Sequence, residues 1–250
     1  MPDYSALLSD LESACRDGAR TAQQMQKGVK WETKPDGSIV TEADRAVEAF
    51  LRERIAVMTP GAAVWGEEMG YEPPNEHGQW LVDPIDGTSN YAYGQPLWGV
   101  TVGYFIDGRL TLGCIVCPEL GWCFCGRDGG GAYLNGARLD SVQPGEIAPI
   151  DLVGHGDVKA PGINPEWPGK VRHIGSFVVE AGIFLTGGMR ALLTNGVRLY
   201  DAAAGVVLAR EIGALVLEDD GKAWDEGDWT KPEKCRPFGF FPSGSNWPFR

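Results

Sequence analysis

Residues 80–91 read WLVDPIDGTSNY, an apolar run that passes straight into two aspartates. Asp83 and Asp86 stand three apart around a turn stiffened by Pro84, so both carboxylates and the Ile85 carbonyl can converge on one point. Convergence of oxygens alone suits a hard cation such as Mg2+, which prefers carboxylates and retained waters to nitrogen or sulfur. Gly87 then permits close backbone approach, and the Gly87 and Thr88 N–H groups can open a helical turn that cradles a phosphate. Taken alone, D-x-x-D-G-T is equally the pattern of two turn-forming aspartates beside a glycine.

The neighbours break that tie. Glu67 and Glu68 in VWGEEMG also end a short apolar run, where a carboxylate can turn into a cleft. Asp201 opens DAAAGVVLAREIG, which reads as a helix capped by that aspartate and closed by Gly213. Asp44 completes a capping box with Thr41 at the start of TEADRAVEAFLRERIAVM. Capping and metal binding are compatible, since an ionised carboxylate has about four acceptor sites.

Further out, Tyr4, Leu7, Leu8, Leu11, Cys15, Ala22 and Met25 recur at helical spacing and predict a helix over 4–27. Ala43, Val47, Phe50, Leu51 and Ile55 form the buried stripe of a second helix. Short apolar runs at 62–66, 80–82, 98–106, 110–117 and 132–134 predict a mostly antiparallel sheet, with Asp107-Gly108 as a hairpin turn. The stretch 140–170, with prolines at 144, 149, 161, 165 and 168, reads as irregular and divides one domain into lobes of about 1–145 and 146–250. Beyond it, SFVVEAGIFLTGG predicts a helix, and MRALLT and GALVLED predict strands.

Of 250 residues, 43% are hydrophobic and 22% charged, the balance of a folded globular chain. A net charge of -12 repels phosphate backbones and anionic lipid, so neither nucleic acid nor membrane is an expected partner. The amino terminus has no basic start and no apolar signal core, which predicts a cytoplasmic protein with free thiols. Cys114, Cys117, Cys123 and Cys125 form C-x2-C-x5-C-x-C, a spacing foreign to the common structural zinc sites. On a hairpin, Cys114 and Cys117 point to opposite faces, and the four read as small core side chains. His77, His155 and His173 show no ligand spacing.

Five segments in order, KPDGSIVTEADRAVE, WGEE, DPIDGTSNY, GGGAYLNGARL and YDAAAGVVLAREIGA, together resemble the inositol monophosphatase-like family of Mg2+-dependent phosphomonoesterases over nearly the whole chain. The resemblance implies an α+β fold, the layered αβαβα sandwich shared with fructose-1,6-bisphosphatase. It implies that Glu67, Asp83 and the Ile85 carbonyl hold one Mg2+ and that Asp83, Asp86 and Asp201 hold a second. Glu67 would reach a looser third ion through water, with Glu68 behind it. Thr88 and Asp44 resemble the pair that orients the attacking water, making Asp44, Thr88 and Glu67 the catalytic set. Asp86, Gly87, Thr88, Gly175, Ser176 and Thr194 become the contacts to a small phosphorylated substrate, and a homodimer is implied.

The sequence departs from the family in its substrate pocket. Thr194 stands where animal inositol phosphatases carry a polyol-binding glutamate, and GSFVVEAG presents Phe177 and Val178 in place of small residues. The loss of that charged acceptor weakens the case for inositol itself; a small polyol phosphate, inositol monophosphate or similar, ranks first and histidinol phosphate second. Fructose 1,6-bisphosphate and 3′-phosphoadenosine 5′-phosphate are further alternatives. A non-catalytic, partner-binding role is disfavoured because every metal carboxylate and Thr88 is intact.

Overall fold

The computed structural model describes residues 4–156, 168–229 and 231–245. Pro161 and Pro165 lie outside the described residues. Helix α1 (Ser5–Gln26) buries Leu11, Cys15, Ala19 and Ala22, positions three or four apart that share one face. The chain returns through a short antiparallel hairpin, β1 (Trp31–Thr33) and β2 (Ile39–Thr41), into α2 (Glu42–Met58). The capping box of α2 is complete: Thr41 Oγ1 accepts from the Asp44 N–H at 3.4 Å, and Asp44 Oδ2 accepts from the Thr41 N–H at 2.8 Å. Ala43, Val47, Leu51 and Ile55 are buried, Phe50 is half-buried, and Glu48, absent from the expected stripe, is fully enclosed.

Eight strands make the central sheet: β3 (Ala63–Gly66), β4 (Gly70–Tyr71), β5 (Gln79–Asp86), β6 (Gly99–Ile106), β7 (Arg109–Cys117), β8 (Trp122–Arg127), β9 (Gly131–Leu134) and β10 (Ala137–Arg138). Their order is β10-β9-β8-β7-β6-β5-β3-β4, antiparallel throughout except for the parallel β3–β5 pair. Asp107 and Gly108, at φ 52° and 78°, supply the paired left-handed residues that a tight β6–β7 turn requires. Strand pairing does not stop before Asp83 but runs on to Asp86, with a register break between the two aspartates. Pro84 has no N–H to give the ladder, so the pair sits on an irregular strand end and not in a turn beyond it.

Between β5 and β6 lies one short helix, α3 (Thr88–Ala92). A second sheet contains β11 (Leu152–His155), β12 (Lys170–Arg172), β13 (Ala191–Thr194), β14 (Leu215–Glu218) and β15 (Phe238–Phe241), in the order β12-β11-β13-β15-β14. Strand β11 falls inside the stretch read as irregular. Its four residues are too few for a period, and its parallel pairing with β12 and β13 is invisible to local reading.

Helices α4 (Phe177–Leu185) and α5 (Leu199–Glu211) pack between the two sheets, while α1 and α2 cover the other face of the central sheet over Trp80, Val82, Val102 and Leu112. The result is a mixed, layered α+β fold. The described residues supply four layers, helix-sheet-helix-sheet, of the five in the αβαβα expectation. They place no α-helix on the far face of the second sheet, where Val153, Leu193 and Phe241 cluster. Helix α5 comes unusually close to the central sheet. A Cβ on Gly103 would lie 2.5 Å from Ala203 Cβ, and one on Gly113 would lie 2.8 Å from Ala204 Cα. Glycines below and alanines above set the height of the helix and, with it, the place of Asp201.

Candidate active site

The carboxyl end of β5, the turn after β3 and the first turns of α4 and α5 meet at one cleft. Asp83 Oδ1 accepts from the Ile85 N–H at 3.0 Å. Asp86 Oδ2 accepts from the Ser176 hydroxyl at 2.5 Å and the Val178 N–H at 2.9 Å, so the start of α4 aims this carboxylate. Asp201 Oδ2 accepts from the Arg198 N–H at 2.7 Å. Arg198 is the N-cap and Asp201 the third residue of α5, which corrects the expected cap: the aspartate reaches back over the helix start from inside it. For Asp83 and Asp201 these hydrogen bonds hold a single oxygen.

Burial, then the charges of Glu67, Asp86, Asp201 and Asp44, push the Asp83 carboxyl well above its ordinary range. Burial and Glu67 do the same to Asp201, while burial lifts Asp86 to about 6 against the pull of Ser176 and Val178. Like charges held together in low dielectric call for a cation, and an all-oxygen donor set fits a hard divalent one. Among the described residues, the ligand atoms that come within 4.8 Å of one another in a group of three are thiols elsewhere; no three carboxylates of this cleft approach one another that closely.

Gly66, Glu67 and Glu68 are pinned from beneath. Buried Glu48 accepts from the backbone N–H of Glu68 at 2.7 Å and of Met69 at 3.0 Å, and from Arg52 Nε at 2.9 Å. A Cβ on Gly66 would fall 2.0 Å from Glu48 Oε1, so this turn requires glycine. Lys34 Nζ donates to Glu67 at 2.9 Å and to Glu68 at 2.5 Å. Thr88 Oγ1 lies 2.9 Å from the Ile85 carbonyl and 3.3 Å from Asp44 Oδ1. Burial, chiefly, raises Asp44 to about 6. Gly87, at φ 86°, is the other obligatory glycine: a side chain there would meet Leu97 O and Ser176 Cβ at 2.9 Å.

Beside Asp86 opens a cavity of about 200 Å³ lined by Gly175, Ser176, Glu180, Thr194 and Asn195, among others. The structure thus brings Gly175, Ser176 and Thr194 together, but the Ser176 hydroxyl is committed to Asp86. Glu180 Oε1 accepts from the Ile174 N–H at 2.7 Å. Glu180 Oε2, Thr194 Oγ1 and Asn195 Oδ1 are buried without a protein partner. Burial raises the Glu180 carboxyl to about 7. A larger cavity of about 530 Å³, between 138–143 and 184–190, has no such convergence of carboxylates, so size does not mark the site.

Lys34, Glu48 and Asn195 were not readable as site residues. Lys34 and Glu48 open and close the segment KPDGSIVTEADRAVE, and Glu48 could have been noticed as a charge one turn after Asp44 on the apolar face of its helix.

A layered α+β fold with an acidic cleft at its strand ends defines a metal-dependent class of phosphatase. The chain belongs to the inositol monophosphatase family, whose pattern it matches over residues 6–234, and so to the phosphatases that hydrolyse phosphate monoesters. It is 30% identical over 234 residues to an inositol-1-monophosphatase of Mesorhizobium japonicum, with 87% of each chain covered. It is 32% identical over 210 residues to a histidinol-phosphatase of Mycobacterium tuberculosis, covering 78% of this chain and 80% of that one. An IMPase/NADP phosphatase complexed with NADP and Ca2+ shares the fold at a TM-score of 0.83 and 20% identity, with 98% of this chain and 94% of that chain covered. No described helix is long and apolar enough to cross a membrane.

Proposed function

We propose that the protein is a Mg2+-dependent phosphatase acting on the monophosphate of a small polyol. The observation that carries this reading is the convergence of Glu67, Asp83, Asp86 and Asp201 beside a cavity walled by hydrogen-bond acceptors. Glu67, Asp83 and the Ile85 carbonyl would hold one Mg2+, Asp83, Asp86 and Asp201 a second, and Glu67 a looser third through water. Bound there, the ions would neutralise the phosphate and lower the pKa of water. With its one proton donated to the Asp44 carboxylate or the Ile85 carbonyl, the Thr88 hydroxyl would turn its oxygen lone pairs to a hydrogen of the attacking water. The Gly87 and Thr88 N–H groups face the phosphate oxygens, and Ser176 keeps Asp86 in place. Attack in line on phosphorus then needs positioning more than covalent chemistry. A homodimer in the cytoplasm belongs to the same proposal and rests on family likeness.

Asn195 Oδ1 can only accept, while Thr194 Oγ1, and Glu180 when protonated, can both accept and donate, so the cavity suits the hydroxyls of an alcohol. The charge that Glu180 can carry supports a second reading, an amino alcohol such as histidinol phosphate. Phosphate release from inositol 1-phosphate, histidinol phosphate, glycerol 2-phosphate, fructose 1,6-bisphosphate and 3′-phosphoadenosine 5′-phosphate, ranked by kcat/KM with Mg2+ and with EDTA, tests both. Equal rates with and without chelator would refute the metal requirement, and a bisphosphate at the head of the ranking would refute the substrate class.

A further inference from the structure

We infer that Cys114, Cys123 and Cys125 form a second metal site, separate from the acidic cleft and suited to a soft, thiolate-seeking cation of the Zn2+ class. Strands β7 and β8 pair antiparallel with Cys114 directly opposite Cys125, and Cys123 lies two residues before Cys125 on the same face. Cys117 points the other way, into the core between the sheets. The sulfurs of Cys114 and Cys125 are 3.0 Å apart, those of Cys123 and Cys125 are 3.8 Å apart, and all three lie within 4.8 Å of one another. Tetrahedral Zn2+ with Zn–S near 2.3 Å places its sulfurs about 3.8 Å apart, so little movement is needed to close the site.

Helix α1 supplies the rest. Glu12 Oε1 approaches Cys123 Sγ at 3.7 Å but stands outside the 4.8 Å circle of the three sulfurs, so its carboxylate swings inward to become the fourth ligand; Cys15 is a hydrogen-bond neighbour of Cys114. Glu12 in turn holds Arg16 at 2.7 Å. Three thiolates and a Glu12 carboxylate around Zn2+ carry a net charge of minus two, which Arg16 halves. Binding releases the thiol protons to solvent. The sulfurs are buried, but Glu12 and Arg16 above them are 35% and 43% exposed, so a cation reaches the site by passing one layer of side chains.

A disulfide is the competing fate of such a cluster. Cys123 and Cys125 are neighbours along one strand, with Cα atoms about 6.6 Å apart, close to the limit a disulfide spans. A bond between Cys114 and Cys125 would leave the third sulfur and Glu12 unused, whereas a cation engages them all.

The test uses the full chain, reduced and freed of metal, titrated with Co2+. The expected result is a thiolate-to-cobalt charge-transfer absorption that saturates at a single equivalent, is displaced by Zn2+ and survives excess Mg2+ and the Asp83→Asn change. Cys123→Ser abolishes it, Cys117→Ser leaves it intact, and Glu12→Gln weakens binding by roughly 10- to 100-fold. X-ray absorption on the Zn2+-loaded wild type keeps the idea testable if a cysteine variant does not fold: sulfur scatterers at about 2.3 Å support it, and oxygen scatterers alone overturn it. Absence of the charge-transfer band, a band undiminished in Cys123→Ser, or air oxidation to a Cys114–Cys125 disulfide without metal uptake would also overturn it.

Discussion

Replacing Glu48 with alanine tests whether the position of Glu67 is set from below. Glu48 is 0% exposed and holds the N–H groups of Glu68 and Met69 together with Arg52 Nε. Removing one partner of a buried, hydrogen-bonded charge pair costs about 3–5 kcal/mol. Arg52 keeps a side chain 18% exposed and recovers water, which favours the lower half of that range, about 3–4 kcal/mol. For a chain of 250 residues each kcal/mol moves Tm by about 2–4 °C, so Tm should fall by about 6–16 °C. Circular dichroism melts in EDTA measure the fold without metal linkage. The Mg2+ concentration for half-maximal activity, measured separately, should rise as Glu67 loses its support. Gly66→Ala should be worse alone than in the Glu48→Ala background, because the added methyl collides with the Glu48 carboxylate. A Tm within about 2 °C of wild type, an unchanged Mg2+ requirement, or strict additivity of the two changes would refute the reasoning.

Three further outcomes are expected. Asp83→Asn should reduce turnover at least as much as any other single ligand change, and steady-state kinetics across Glu67→Gln, Asp86→Asn and Asp201→Asn checks the order. In the metal-free protein the raised Asp44, Asp83, Asp86 and Asp201 carboxyls keep protons that the unfolded chain has lost, so their contribution to stability is fully present below about pH 4 and is lost as pH rises through about 6 and beyond; Mg2+ should therefore raise Tm more at about pH 8 than at about pH 5, and equal increments would count against the clustered charge. Thr194→Glu should improve inositol 1-phosphate relative to the other substrates by roughly tenfold or more, while Glu180→Gln should penalise an amino-alcohol phosphate selectively, both read as kcat/KM ratios.

The acidic site was legible where its chemistry is local. D-P-I-D-G-T carries two metal-type carboxylates, a proline that interrupts pairing and a glycine that no other residue can replace, all within six positions. The capping box of α2 was legible for the same reason. The start of α5 was misread because an aspartate before a run of alanines satisfies the N-cap pattern, although the same carboxylate can serve the Arg198 N–H from the third helical position. Glu48 and Glu180 were harder still. Each is a carboxylate on a helix whose neighbours are apolar, and sequence does not distinguish a charge aimed at solvent from one aimed at a buried backbone N–H. Strand β11 shows another limit, since what matters there is a partner brought by long-range pairing.

How the site is assembled follows from which groups hold its carboxylates. Asp83 is fixed by its own strand end, Asp86 by the first turn of α4, ninety residues later in the chain, and Asp201 by the first turn of α5. The cluster cannot form until both helices have settled on the central sheet, and α5 settles only because Gly103 and Gly113 admit Ala203 and Ala204. Packing of small residues in the core is therefore what brings mutually repelling carboxylates together in the buried end of the cleft. Without a cation the raised Asp83 and Asp201 carboxyls oppose that arrangement, and the glycine-alanine contact works against their repulsion. Enlarging Ala203 would lift α5 and separate Asp201 from Asp83, so loss of Mg2+ affinity in such a variant would originate in the core even with every ligand in place.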